Sequence, residues 1–137
     1  MTPDERRAKV LDLIDGVVNA HDPDGIDRFT KEPAIAGEVR GLLHTFPDLH
    51  FDVVWSVADG DRVVLFVEMT GTHEGPFLMV EEATHRPLQA SLVLALQVDD
   101  EGMIVDNWLG TNFIAMLAQL GWGVAPFGET VPTPPPD

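Results

Sequence analysis

The stretch HFDVVWSVADGDRVVLFVEMTGT, residues 50–72, decides how this chain folds. In its first half, Phe51, Val53, Trp55 and Val57 alternate with His50, Asp52, Val54 and Ser56. A period of two marks a half-buried strand, and strict alternation groups Trp55 with Phe51 and Val53 on one face. Asp59-Gly60 is a tight-turn pair. From Arg62 onward the residues are at first apolar on both faces, as expected of a central strand. Residues 50–72 therefore read as a hairpin.

Upstream the period is helical. Thr2-Pro3-Asp4-Glu5 has the form of a capping box with proline in the first turn. Val10, Leu13, Ile14, Val17 and Val18 follow at helical spacing, giving one buried face through about Ala20. Asp22-Pro23-Asp24 caps a second, short helix reaching Phe29. Glu32-Pro33 opens a third, with Ile35, Val39, Leu42 and Leu43 on its apolar side. Pro47 ends it, because the residue before proline is pushed out of helical geometry. Downstream the alternation returns. Glu74-Gly75 supplies a turn or bulge, and PLQASLVLALQV (87–98) puts Leu88, Ala90, Leu92, Leu94, Leu96 and Val98 on one face. DDEG turns the chain into a last strand from Met103 to about Thr111, and a short helix runs to Leu120. Regular alternation in that strand puts Trp108 on the face of Asp106, Gly110 and Asn112.

Three helices before an antiparallel meander specify an α+β fold, with the helices packed on one face of a curved sheet. Residues 1–125 form a single domain. Residues 126–137 are a proline-rich tail, expected to be extended or disordered. If the sheet curls around the helices it leaves a mostly apolar hollow, the usual character of a small-molecule site.

Composition narrows the function. The chain has 137 residues, of which 45% are hydrophobic, enough for one packed core. Twenty-three acidic residues against 8 basic ones give a net charge of −15, which repels nucleic acid and anionic membranes. Cys is absent, so there is neither a disulfide framework nor thiolate chemistry. No apolar run is long enough to span a bilayer, and the N-terminus does not read as an export signal. The expectation is a cytoplasmic protein. No metal site is expected, since His21, His44, His50, His73 and His85 never fall at helical ligand spacing. Glycine-rich phosphate loops and a G-x-S-x-G elbow are also lacking.

Several segments, VNAHDPDGIDRF, FPDLHF, GDRVV, GTHEGPF, THRPL and IVDNW…LAQLG, occur here in an order and spacing that resembles the SnoaL-like polyketide cyclase family. That family belongs to the nuclear-transport-factor-2-like superfamily, and the resemblance spans roughly residues 8–122. It implies a cone-shaped α+β barrel around a deep apolar pocket, usually a homodimer built on the sheet, and catalysis with neither metal nor organic cofactor. The reaction implied is a ring closure or isomerisation of an apolar polyketide-type molecule, with a pocket Asp as acid/base. This chain departs from the pattern in three places. Where the acid/base Asp usually stands, four residues past the Trp of the last strand, it has Asn112. The preceding strand lacks the usual charges. The segment from Phe29 to Phe46 is shorter than the family's, which normally forms a strand and lid there.

The candidate site residues follow. Asn112 either caps the last helix or polarises a carbonyl; an amide is no general base. Asp106 is the nearest substitute by strand parity, since a carboxylate in an apolar cup has a raised pKa. His73 titrates near neutrality and could reach the pocket mouth. Trp108 could stack on a flat ligand or be a core aromatic. Trp55, Leu92, Leu94 and Met69 are candidate wall residues, and Arg86 could pair a ligand carboxylate. Two function classes remain: a cofactor-free cyclase or isomerase in which pocket shape templates ring closure, with or without acid/base help, and a non-catalytic binding or dimerisation module.

Overall fold

The computed structural model describes residues 1–124 and 130–131. Helix α1 (Pro3–Leu13) begins as its capping box requires. Thr2 Oγ1 accepts from the Glu5 N–H at 3.1 Å, and the Thr2 N–H donates to Glu5 Oε1 at 3.0 Å. The helix then widens into a π-helical turn (Ile14–Val18), and the Asn19 N–H donates to the Ile14 carbonyl at 2.8 Å. This delivers the Asn19 side chain to the Phe51 backbone, where it both donates (2.9 Å) and accepts (2.8 Å), welding the helix to the sheet edge. Residues Pro23–Arg28 form a 3₁₀ helix. Asp22 makes no side-chain capping bond there, against the sequence expectation; its carboxylate lies 3.9 Å from Arg28. Helix α2 (Pro33–Thr45) carries Pro33 in its first turn and stops at Phe46, the residue before Pro47.

Four antiparallel strands follow in simple order: β1 (His50–Asp59), β2 (Arg62–Thr72), β3 (Pro87–Val98) and β4 (Ile104–Thr111). Helix α3 (Phe113–Gln119) closes the unit, and two-residue strands β5 (Gly123–Val124) and β6 (Thr130–Val131) pair beyond it. The expected proline-rich tail falls otherwise on residues outside those described. Gly60 takes φ +57° in the β1–β2 turn, a left-handed conformation that suits glycine.

The core lies between the helices and the inner sheet face. Val63, Leu65, Val67 and Met69 of β2 and Leu88, Leu92, Leu96 and Val98 of β3 are buried against Val10, Leu13, Val17, Ile26 and Phe46. Gly71 is required by close approach, because a Cβ there would lie 3.0 Å from Cβ of Phe46. Arg6 is an unforeseen clamp. Its buried guanidinium donates to the carbonyls of Val98 (2.9 Å), Met1 (2.8 Å) and Gly60 (3.2 Å) and to Asp100 (2.6 Å), tying α1 to both hairpin turns.

Two irregularities correct the expected strand faces. In β1, Val53 pairs with Val67 but Trp55 pairs with Phe66, so Val54 is an extra, bulged residue. In β4, Ile104 pairs with Val98 and Asp106 with Gln97, so Val105 is likewise extra. Each bulge reverses the parity of everything beyond it. Ser56 and Ala58, not Trp55 and Val57, continue the inner face of β1. Asn107, Leu109 and Thr111, not Asp106, Trp108 and Gly110, face inward opposite Leu96, Leu94 and Leu92.

Candidate active site

The curl of the sheet around α1 and α2 leaves a hollow of about 480 Å³. Leu13, Ile14 and Val18 form one wall, Ile35, Val39, Leu42 and Leu43 of α2 a second, and Leu94, Leu96, Ile104 and Leu109 the floor. Leu49, Phe51, Leu78 and Phe113 complete it. Its polar character comes mainly from one pair: Asn107 Nδ2 donates to Glu38 Oε2 at 2.9 Å, joining β4 to α2 across the border of the hollow. Glu38 is the only ionisable residue, and no cation appears, among the described residues that border the space. Sequence reading missed this pair, because its members are 69 positions apart and Asn107 faces inward only through the bulge at Val105.

The expected site residues do not assemble there. Leu94 borders the hollow. Leu92 and Met69 share its sheet face but lie in filled core, 2% and 1% exposed. Trp55 is on the outer face, stacked on Phe66 with ring centroids 5.7 Å apart. Trp108 touches the border of the hollow but is 64% exposed. An added Cβ at Gly110 would meet its ring at 3.0 Å, so the indole lies along the outer side of β4. Asp106, paired with Gln97, is exposed on that outer side. Asn112 caps α3, its side chain accepting from the Ala115 N–H at 3.0 Å. Arg86 stands outside the hollow, its carbonyl accepting from the His73 N–H at 3.0 Å.

His73 is wholly buried rather than at the pocket mouth. The Thr84 N–H donates to its Nδ1 at 3.0 Å, so in the neutral ring the proton sits on Nε2, which has no partner. Burial lowers its pKa, with the nearby Glu74 carboxylate opposing in part. Its backbone bonds His85 and Arg86, and its ring packs 6.2 Å from Phe46. It organises the 73–86 connection. A second, shallower cleft of about 390 Å³ holds Asp48, Gln89 and Gln119, but these polar groups are already engaged. Asp48 accepts from Thr72 N–H and Oγ1, both at 2.7 Å, and the backbone bond holds its pKa below the usual carboxylate range. Gln119 exchanges two bonds with the Gln89 backbone, both at 2.8 Å.

Among the described residues no cluster of His, Cys, Asp or Glu is placed to hold a metal, and no helix is long and apolar enough to cross a membrane.

A helical cap over a curled four-stranded meander, with an apolar hollow between, agrees with the family model for SnoaL-like polyketide cyclases, which matches residues 7–120. The chain belongs to this family. Solved structures agree. AclR, a proposed hydroxylase from Streptomyces galilaeus, is 29% identical, with 88% of this chain and 83% of that one covered and a TM-score of 0.74. A proposed SnoaL-like polyketide cyclase from Jannaschia sp. CCS1 is 23% identical over 88% and 95%, with a TM-score of 0.73. IdmH, a proposed polyketide cyclase from Streptomyces antibioticus, is 23% identical over 88% and 99%, with a TM-score of 0.65. No curated protein matches the chain. The SnoaL-like domain of this chain has its helices and four strands in the expected order, and between Phe29 and Phe46 it has helix α2 and no strand, where relatives were expected to carry a strand and lid.

Proposed function

We propose that this SnoaL-like protein closes or rearranges a ring in an apolar polyketide-type molecule, without a cofactor, by folding it within the hollow. The observation that carries the reading is a cavity of about 480 Å³ with almost wholly apolar walls and a single carboxylate–amide pair. Such a site has few groups for chemistry and much surface for shaping a ligand. Holding reacting carbons together lowers a barrier by about 7–11 kcal/mol at best. The residues first considered for proton transfer, Asp106 and His73, do not border the hollow, so any acid/base help falls to Glu38. The test is to incubate the protein with linear and partly cyclised poly-β-carbonyl esters and follow ring closure by mass spectrometry. Leu94→Trp, which fills the hollow, is expected to abolish turnover, while Ser91→Ala on the outer face leaves it unchanged. Equal rates for both variants overturn the reading.

A second reading, a non-catalytic binder, is favoured by one observation: Asn112, standing where an acid/base Asp is usual, is engaged as a helix cap. Tight ligand binding with no product from any ester decides for it. We further propose a homodimer in which a second copy covers the exposed outer face around Trp55, Val57 and Trp108. Trp55→Glu with Trp108→Glu is then expected to sediment as a monomer. A cytoplasmic location belongs to the same proposal.

A further inference from the structure

Resting on that reading of the hollow, we infer that the Glu38–Asn107 pair selects its ligand by charge, admitting uncharged molecules that present a hydroxyl and rejecting carboxylates. Three observations converge. Glu38 is the one ionisable group among the residues bordering the space, and no Lys, Arg or His borders it to neutralise a second anion. Asn107 Nδ2 donates to Glu38 Oε2, which fixes one carboxylate oxygen and leaves Oε1 without a hydrogen bond among the described residues. The remaining walls are hydrocarbon, so a ligand group next to Glu38 finds little to bond except an acceptor. Glu38 is exposed where it meets the border of the hollow, so a ligand carboxylate beside it faces a like charge that water screens in part. An enol or phenol instead donates to Oε1 and gains a charge-assisted bond. This differs from the sequence expectation, in which Arg86 would have paired a ligand carboxylate; Arg86 does not border the hollow.

The experiment uses three probes with one ring system and titrates each into the 137-residue chain at pH 7, following ligand fluorescence: 2-naphthol, 2-methoxynaphthalene and 2-naphthoate. The expected order is naphthol tightest, the methyl ether weaker, and naphthoate weakest, about threefold or more below naphthol. Glu38→Gln keeps the shape and removes the charge. It is expected to strengthen naphthoate binding about threefold while leaving the methyl ether unchanged. Asn107→Leu removes the bond that holds the Glu38 carboxylate in place and is expected to reduce the preference for naphthol over its ether. Leu94→Trp is expected to block all three, which ties binding to this hollow. Equal binding of naphthol and naphthoate by the unaltered protein, or naphthoate binding unmoved by Glu38→Gln, overturns the inference while leaving the ligand site intact. Failure of all three probes to bind, or binding indifferent to Leu94→Trp, overturns the ligand site itself and this inference with it.

Discussion

Strands β2 and β3 pair without interruption over eleven residues, from Arg62 opposite Gln97 to Thr72 opposite Pro87. Strands β1 and β4, on either side of them, each carry one extra residue, Val54 and Val105. Both strands have a Trp one or three positions beyond the bulge, and both indoles end on the outer face. The regular strands make the core. The bulged strands decide what the two sheet surfaces offer: an apolar outer face with Trp55 and Trp108, and a hollow into which Asn107 and Leu109 turn. Bulges concentrate at sheet edges, where they bend a strand and re-aim its side chains.

Chain deletion breaks this comparison most severely. Removing Val105 leaves Ile104 opposite Val98 and Asp106 opposite Gln97, so no side chain changes face. Removing Ala95 from β3 forces one half of the strand to slip and reverses its faces. Deletion of Ala95 is expected to abolish the cooperative thermal transition followed by circular dichroism. Deletion of Val105 is expected to keep that transition, at a cost of about 1–3 kcal/mol. Two deletions of equal severity would mean that the bulge is not the hinge of the pattern. On the inner face of β2, Leu65 is fully buried, and Leu65→Ala is expected to cost about 2–5 kcal/mol in denaturant unfolding.

The regular strands were legible and the bulged ones were not, for a physical reason. The runs 62–72 and 87–98 match their strands to the residue because one is apolar on both faces at its start, the other alternates throughout, and turn formers bound them. Val54 and Val105 are ordinary strand formers, without the glycine or proline that would betray an extra residue. Every face assignment beyond them inherited the error, which is how Trp55, Trp108 and Asp106 came to be expected inside. Local signals fared better: the Thr2–Glu5 box and the Asn112 cap each act within three residues. Partners joined across the fold, Arg6 with Val98 and Glu38 with Asn107, leave no local trace.

His73, just past the end of β2, sharpens the contrast through pH. Its pKa in the folded protein lies below the ordinary 6.5, because burial disfavours the charged ring. The unfolded chain therefore binds the proton more readily, and stability falls as pH drops below about 6.5. In His73→Phe that part of the pH dependence is expected to vanish from thermal melts between pH 7 and pH 5. An unchanged slope would mean that the ring is solvated. At the end of β4, Asn112→Ala removes the bond to the Ala115 N–H and is expected to cost about 1 kcal/mol, whereas Asn112→Asp retains it.

The smallest effect tests the outer face most directly. Trp is among the largest side chains, and buried Trp→Ala substitutions cost about 3–5 kcal/mol. Trp108 is 64% exposed, and the contact that locates its ring is with Gly110, on its own strand. Trp108→Ala, measured at a concentration where the protein is monomeric, is accordingly expected to change unfolding free energy by no more than about 0.5 kcal/mol. The same substitution at higher concentration is expected to lower the melting temperature, because a second copy would then lose part of what it covers. A large loss in the monomer would mean that the indole packs inward. In that case β4 keeps strict alternation, Val105 is no bulge, and Asn107 cannot face Glu38 across the hollow.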